Sequence, residues 1–186
     1  MVKRPRPFTV EEFHRLAEAG ILHEDDRVEL IRGEILEMSP IGSRHAAAVN
    51  RLARLFIQAL GNRAIVSIQN PVRLGKDSEP QPDLALLKTR ADDYAHDLPQ
   101  AGDVLLLAEV ADTSLTYDLE VKLPLYAQHG IPEVWVVDLL GERVLVFRHP
   151  QGESYGETLT EGPEGSLTPL LLPEVSFPAR LVLLKP

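Results

Sequence analysis

Three pieces of one stretch decide how the chain is read: QPDLALL (81–87), VLLLAEVADTS (104–114) and YDLEVKLPLYAQHG (117–130). The first two hold apolar runs of strand length. Each carries one carboxylate, Asp83 near the start of the first and Glu109 near the end of the second. Among neighbours such as Leu84, Leu107 and Val110, a carboxylate is costly to keep ionised unless a cation or hydrogen bonds compensate. Lys122 follows Glu109 by 13 positions, room for a turn and the opening of a helix. Two acids on successive strands with a lysine in reach are the inventory for a hard divalent ion and an activated water. Mg²⁺ takes oxygen ligands, often only one or two of them carboxylates, and leaves its other positions to water and phosphate.

A plainer reading stands beside this one. Pro-Asp at a strand start is an ordinary turn signal, the Asp bonding to nearby backbone N–H groups. Glu109 is less ordinary, because Val104 to Ala108 lead into it and Val110 and Ala111 follow. Glutamate is almost never fully buried without a partner. A salt bridge from one of the 19 lysines and arginines would also meet that need. Glu109 is therefore the strongest single functional clue, and Asp83 depends on it.

Pro82-Asp83, then Glu109-Val110 closing an apolar strand, then Lys122 and Tyr126 within DLEVKLPLYAQHGIPEVWVVD (118–138), resemble the Uma-type restriction endonuclease family. That family is a branch of the PD-(D/E)XK nuclease superfamily. VELIRGEILEMSP (28–40), the Arg44-His45 pair and GIPEVWVVD (130–138) are similar to it as well, so the resemblance covers most of the chain to about Phe147. The parent superfamily usually carries its lysine two residues after the acid, where this chain has Ala111. In the Uma-type branch a lysine from the following helix takes that place, and Lys122 matches it. The resemblance implies metal-dependent hydrolysis of DNA phosphodiester bonds by a homodimer. Asp83, Glu109 and Lys122 would be catalytic, with Mg²⁺ or Mn²⁺ on Asp83 and Glu109. It also singles out Glu29, His45 and Tyr126 as accessory residues.

Strands alternating with helices, some strands adjacent and antiparallel, predict an α/β fold: a restriction-endonuclease-like mixed central sheet flanked by helices. The 186 residues suit a single domain, with a core over about 8–149 and a strand and loop extension over 150–186. The chain has no cysteine, which excludes a disulfide framework and a thiolate metal site and fits a reducing compartment. MVKRPRPFTVEE lacks the apolar core of a secretory signal, and no apolar run approaches a membrane span. A cytoplasmic protein is the expectation. The net charge of −9 weighs against tight non-specific DNA binding, which gains affinity from Lys and Arg. Lys3, Arg4, Arg6, Arg44, Arg51, Arg54, Arg73 and Lys76 could still build a local positive face.

In chain order, Thr9 and Glu12 have capping-box spacing ahead of a helix that Gly20 stops. Arg32-Gly33 separates two apolar runs and predicts a hairpin, with Glu34 and Glu37 facing solvent. SRHAAAVNRLARLFIQALG (43–61) is the best helix, capped by Ser43, with Arg44, Arg51 and Arg54 mostly off its apolar stripe. AIVSIQNPVRLG (64–75) reads as two strands around Pro71, with Gln69 or Asn70 flanking the site. Residues 88–103, with Tyr94 and His96, read as a surface loop. Asp118 suits a helix cap, and Pro124 predicts either a kink or a helix starting near Leu123. Residues 131–149 read as two strands around a turn, and LVLL (181–184) as a late edge strand.

Two rival functions remain at this level. One is a non-catalytic nucleic-acid-binding or regulatory module whose acids serve structure only. The other is a metal-free glycosidase using Asp83 and Glu109 as its carboxylate pair, which the 5% aromatic content makes the weaker choice.

Overall fold

The computed structural model describes residues 6–23 and 25–184. Helix α1 (Val10–Glu18) opens as the spacing predicts: the Glu12 amide donates to Thr9 Oγ1 at 3.2 Å and the Thr9 amide to the Glu12 carboxylate at 3.0 Å. Strands β1 (Val28–Ile31) and β2 (Glu34–Glu37) form the expected hairpin. Its two central residues, Arg32 and Gly33, both have positive φ, 49° and 79°, as a tight turn of this hand requires. A Cβ on Gly33 would lie 2.3 Å from Pro7 Cβ, so the turn admits only glycine there. Backbone bonds between Leu30 and Glu79 and from the Gly33 amide to Asp77 dock the hairpin on the segment that leads to Asp83.

Helix α2 (Ser43–Leu60) buries Val49, Leu52, Ala53, Phe56 and Leu60 at helical spacing. Its cap is Gly42 rather than Ser43. The extended backbone at Gly42 already offers its carbonyl to the Ala46 amide, so Ser43 lies inside the first turn. Strand β3 (Ile65–Ile68) ends at Gln69, whose φ is 51°. The second strand expected over 72–75 does not form. Val72 and Leu74 bond instead to Pro80 and Ser78 across a local turn.

The central sheet has six strands in the order β3, β4 (Leu84–Leu87), β5 (Val104–Ala111), β6 (Glu133–Asp138), β7 (Arg143–Gln151) and β8 (Ser154–Glu161). Every neighbouring pair is antiparallel except β5 and β6, so the sheet is mixed, as expected. A parallel pair needs a crossover. Here it is one helical run: α3 (Leu115–Tyr117), a π-turn over Asp118–Lys122, and α4 (Leu123–Gln128). Asp118 therefore sits within the run and is no cap. Strand β8 has no counterpart in the periodicity, because its exposed, Gly- and Glu-bearing sequence is held by pairing with β7.

β4, β5 and β6 are buried on both faces, which is why they read as near-continuous apolar runs. One face packs Leu84, Leu86, Leu106, Ala108, Val110 and Trp135 against α2. The same layer takes in the short strands β9 (Ser166–Leu167) and β10 (Phe177–Pro178) and helix α5 (Ala179–Val182). Residues 181–184 are thus not an edge strand. Ala179 and Val182 reach the core together only at helical spacing. The other face packs Ala85, Leu87, Leu107, Val134 and Val136 against α4 and the hairpin, and the charged residues collect there.

Candidate active site

The two acids meet because of strand register. Leu84 pairs with Ala108 in the antiparallel β4–β5 ladder, so the next step outward sets Asp83 beside Glu109. Alternation along the strands turns both toward the α4 face, since Glu109 shares a face with Leu107 and Ala111. Asp83 Oδ2 accepts the Val110 amide at 2.8 Å and His45 Nε2 at 2.9 Å, while Oδ1 accepts from Gln69 Nε2 at 3.2 Å. Of the two flanking candidates, Gln69 reaches the site and Asn70 turns to Ser67.

Lys122 arrives through the π-turn. Pro124 has no N–H to continue the ordinary helical ladder, and the Leu123 amide reaches back five residues to the Asp118 carbonyl. The widened turn buries Asp118 and Lys122 together. Lys122 Nζ lies 3.3 Å from both Glu109 Oε1 and Glu29 Oε2. Tyr126, four residues on, donates its hydroxyl to the same Glu109 Oε1 at 2.5 Å. Glu29 is tied down further by the Tyr117 hydroxyl at 3.0 Å and the Gln81 amide at 3.1 Å. With the carboxylates ionised, the Coulomb attraction of each pair is about 5 kcal/mol at this separation and an effective dielectric of about 20. Desolvating the ammonium costs several kcal/mol. Both carboxylates, themselves buried, share in offsetting that cost.

The electrostatics follow from burial and crowding. Burial pushes the Glu109 carboxyl up to about 8, against the pull of Lys122, and the negative charges of Asp118 and Asp83 push the same way. Burial pulls Lys122 down, but Glu109, Glu29, Asp118 and Asp83 together leave it above its ordinary value. Asp118 is raised by burial, although Ser114 Oγ donates to it at 2.7 Å. Burial opposes ionisation of Asp83 too, yet His45, the Val110 amide and Gln69 hold it below the usual range. The hydrogen bond to Asp83 raises His45. His45 Nδ1 is buried without a hydrogen-bond partner among the described residues.

These groups line a cleft of about 690 Å³ between the hairpin, the N-terminus of α2 and the β5–α3 connection. Asp83, Glu109, Lys122, Glu29 and His45 all border it, whereas Tyr126 lies behind Glu109, fully buried. Tyr117 and Gln81 were not legible as site residues. Tyr117 was detectable only as the aromatic preceding a π-turn that Pro124 induces. Tyr94 and His96 stay away from the cleft, their loop closed by Arg90, Asp92 and the Tyr94 ring. Of the basic residues expected to form a face, Lys3 and Arg4 lie outside the described residues. Arg6 and Arg73 pair with Glu12 and Glu11, and Arg44 stands 3.6 Å from Asp112.

No three His, Asp or Glu side chains converge as metal ligands among the described residues. A search of curated proteins returned no match. Among solved structures, the fold is similar to the crystal structure of "a putative nuclease belonging to DUF820" from Anabaena variabilis ATCC 29413. The TM-score is 0.77 at 19% identity, over 95% of this chain and 98% of that one. The sheet order, the paired acids on β4 and β5 and the lysine from the crossover fall inside the segment, residues 10–180, that matches the family model described as "Uma2: Putative restriction endonuclease", and the chain belongs to that family.

Proposed function

We propose that the protein is a metal-dependent endodeoxyribonuclease that hydrolyses phosphodiester bonds in DNA at this cleft. The observation that carries the reading is the meeting of Asp83 and Glu109 on adjacent strands, with the Lys122 ammonium 3.3 Å from Glu109. The residues suit a hard divalent ion. Glu29, Asp83, Glu109 and Asp118 stand against Lys122 and His45 in the cluster, and a divalent charge would balance the excess. Glu109 Oε1 holds Tyr126 and Lys122, and Oε2 accepts no hydrogen bond among the described residues. Asp83 and Glu109 would hold Mg²⁺ or Mn²⁺, with water and phosphate completing the shell.

Bound there, the ion would polarise the scissile phosphate and lower the pKa of a water. Lys122 orients the attacking water and stabilises the negative charge that develops on the phosphate oxygens. Glu29 and Tyr117 keep its ammonium at the cleft floor. Tyr126 fixes the rotamer of Glu109, and His45 with Gln69 fixes that of Asp83. The same reading makes the protein a cytoplasmic homodimer, whose two sites serve the two strands of a duplex. Light scattering at assay concentration tests the dimer.

The catalytic reading is tested with supercoiled plasmid and single-stranded DNA in Mg²⁺, in Mn²⁺ and in chelator, beside Asp83→Ala. Metal-dependent nicking lost in the variant is the expected result. Equal nicking by both proteins would remove Asp83 from the site. A second reading, a non-catalytic nucleic-acid-binding module, is favoured by one observation: the buried Lys122 ammonium bridges the carboxylates of Glu29 and Glu109, as a structural ion pair would. Absence of cleavage under every condition would favour it.

A further inference from the structure

Helix α2 begins in the cleft, where Gly42 and His45 line it, and its 18 residues carry the chain about 27 Å away. In a protein with 28 acidic residues, this helix has none, and three arginines: Arg44, Arg51 and Arg54. α5 docks on it where Arg51 Nη1 donates to the Leu181 carbonyl at 3.3 Å. Arg180 precedes that contact by one residue, and Arg54 follows Arg51 by three, most of a helical turn. Arg54 and Arg180 are both exposed, and neither side chain has a hydrogen-bond or ion-pair partner among the described residues. Ala47 and Asn50, exposed on the turns nearer the cleft, are short enough to let another backbone approach.

An unpaired arginine on an acid-free helix that starts at the cleft, with a second on α5 beside it, is out of keeping with a surface of net charge −9. We propose that the solvent face of α2, with α5 beside it, is the track along which the DNA phosphate backbone leaves the cleft. Arg54 and Arg180 would contact phosphates, and Arg51 would tie the two elements together. The inference rests on the nuclease reading and names the surface that reading otherwise lacks. From Arg44 to Arg54 is about 15 Å along the helix, the span of about four phosphates of one strand at about 3.4 Å each. The acids at the cleft would repel those phosphates, so an attractive strip leading away from it keeps the strand in register with the site.

The test uses the full-length protein and a fluorescent duplex of about two helical turns, with binding read by anisotropy in Ca²⁺ across a range of salt. The variants are Arg54→Glu, Arg180→Glu and the two combined, with Arg15→Glu on the exposed face of α1 as a control that matches each single variant in charge change. The double variant is expected to bind at least about tenfold more weakly, with its salt slope reduced by about 1.8 for two lost phosphate contacts. Arg15→Glu is expected to match wild type. In Mn²⁺ the double variant should show a raised KM and an unchanged kcat. An unchanged slope in the double variant, or a loss in Arg15→Glu equal to that in each single variant, would overturn the track. Wild-type protein that binds DNA but never cleaves it would overturn the catalytic reading alone, and the slope would still decide the track. Wild-type protein that binds no DNA would overturn both.

Discussion

Two glutamates on neighbouring strands, Glu109 of β5 and Glu133 of β6, are both buried, at 3% and 0% exposure, and are used in opposite ways. Glu133 is saturated with donors: the Trp135 indole at 2.9 Å, Arg148 Nε at 2.8 Å and the Leu170 amide at 2.5 Å. Arg148 in turn donates to the Thr168 carbonyl at 2.6 Å. This network pins the 166–170 segment to the sheet and satisfies both carboxylate oxygens. Glu109 has one hydroxyl and a share of one lysine, and its carboxyl rises to about 8. A buried acid that is fully satisfied is architecture. One left short of positive charge beside a cleft is the pattern of a candidate functional group.

The sharpest way to break the comparison is to remove each acid. Glu133→Ala leaves the Trp135 indole, the Leu170 amide and the half-buried Arg148 guanidinium without their shared acceptor and is expected to cost about 3–5 kcal/mol in chemical denaturation. Glu109→Gln should cost far less stability and abolish metal-dependent cleavage. If the two variants unfold alike, the distinction fails. Next in size, Lys122→Met should lower kcat by about 10²–10³-fold while DNA binding persists, as loss of a donor to developing negative charge does.

A pH series sharpens the contrast further. Because the folded value for Glu109 lies above its usual 4.5, the folded protein binds more protons than the unfolded chain between about 4.5 and about 8. The contribution of Glu109 is therefore fully present below pH 4.5 and is lost as pH rises through about 8. The slope is at most about 1.4 kcal/mol per pH unit, and Glu109→Gln should remove it. An ion bound at Glu109 displaces that proton, so metal affinity by calorimetry should rise about tenfold per pH unit up to that value, with proton release. A pH-independent affinity would show that Glu109 is not a ligand. The smallest effect is expected for Tyr117→Phe, which removes one hydrogen bond to Glu29 and about 1 kcal/mol of hold on Lys122. It should lower kcat severalfold without moving metal affinity.

The elements that repeat a local rule were legible before the structure. The Thr9–Glu12 box, the Arg32-Gly33 turn, α2 and the buried strands β4 to β6 are set by residues within a few positions of one another. Asp83, Glu109 and Lys122 stood out as candidates because acids and a lysine among apolar residues need a reason. The partners that complete them did not. Tyr117, Gln81 and Asp118 join the cluster through a π-turn and a docked hairpin, contacts between segments as much as 88 positions apart. β8 and α5 were missed for the same cause, since a strand held by its neighbour and a short helix held by α2 need carry no period of their own.

By itself the sequence determined which residues are too apolar to stay in water, where the chain turns, and which charged groups would be costly to bury. Tertiary structure decided which of those charges meet. The β4–β5 register set two acids side by side, the parallel crossover carried a lysine to one of them, and the donors that reached each glutamate decided how fully it is satisfied. Those outcomes depend on pairing distances between remote segments, which no local pattern encodes.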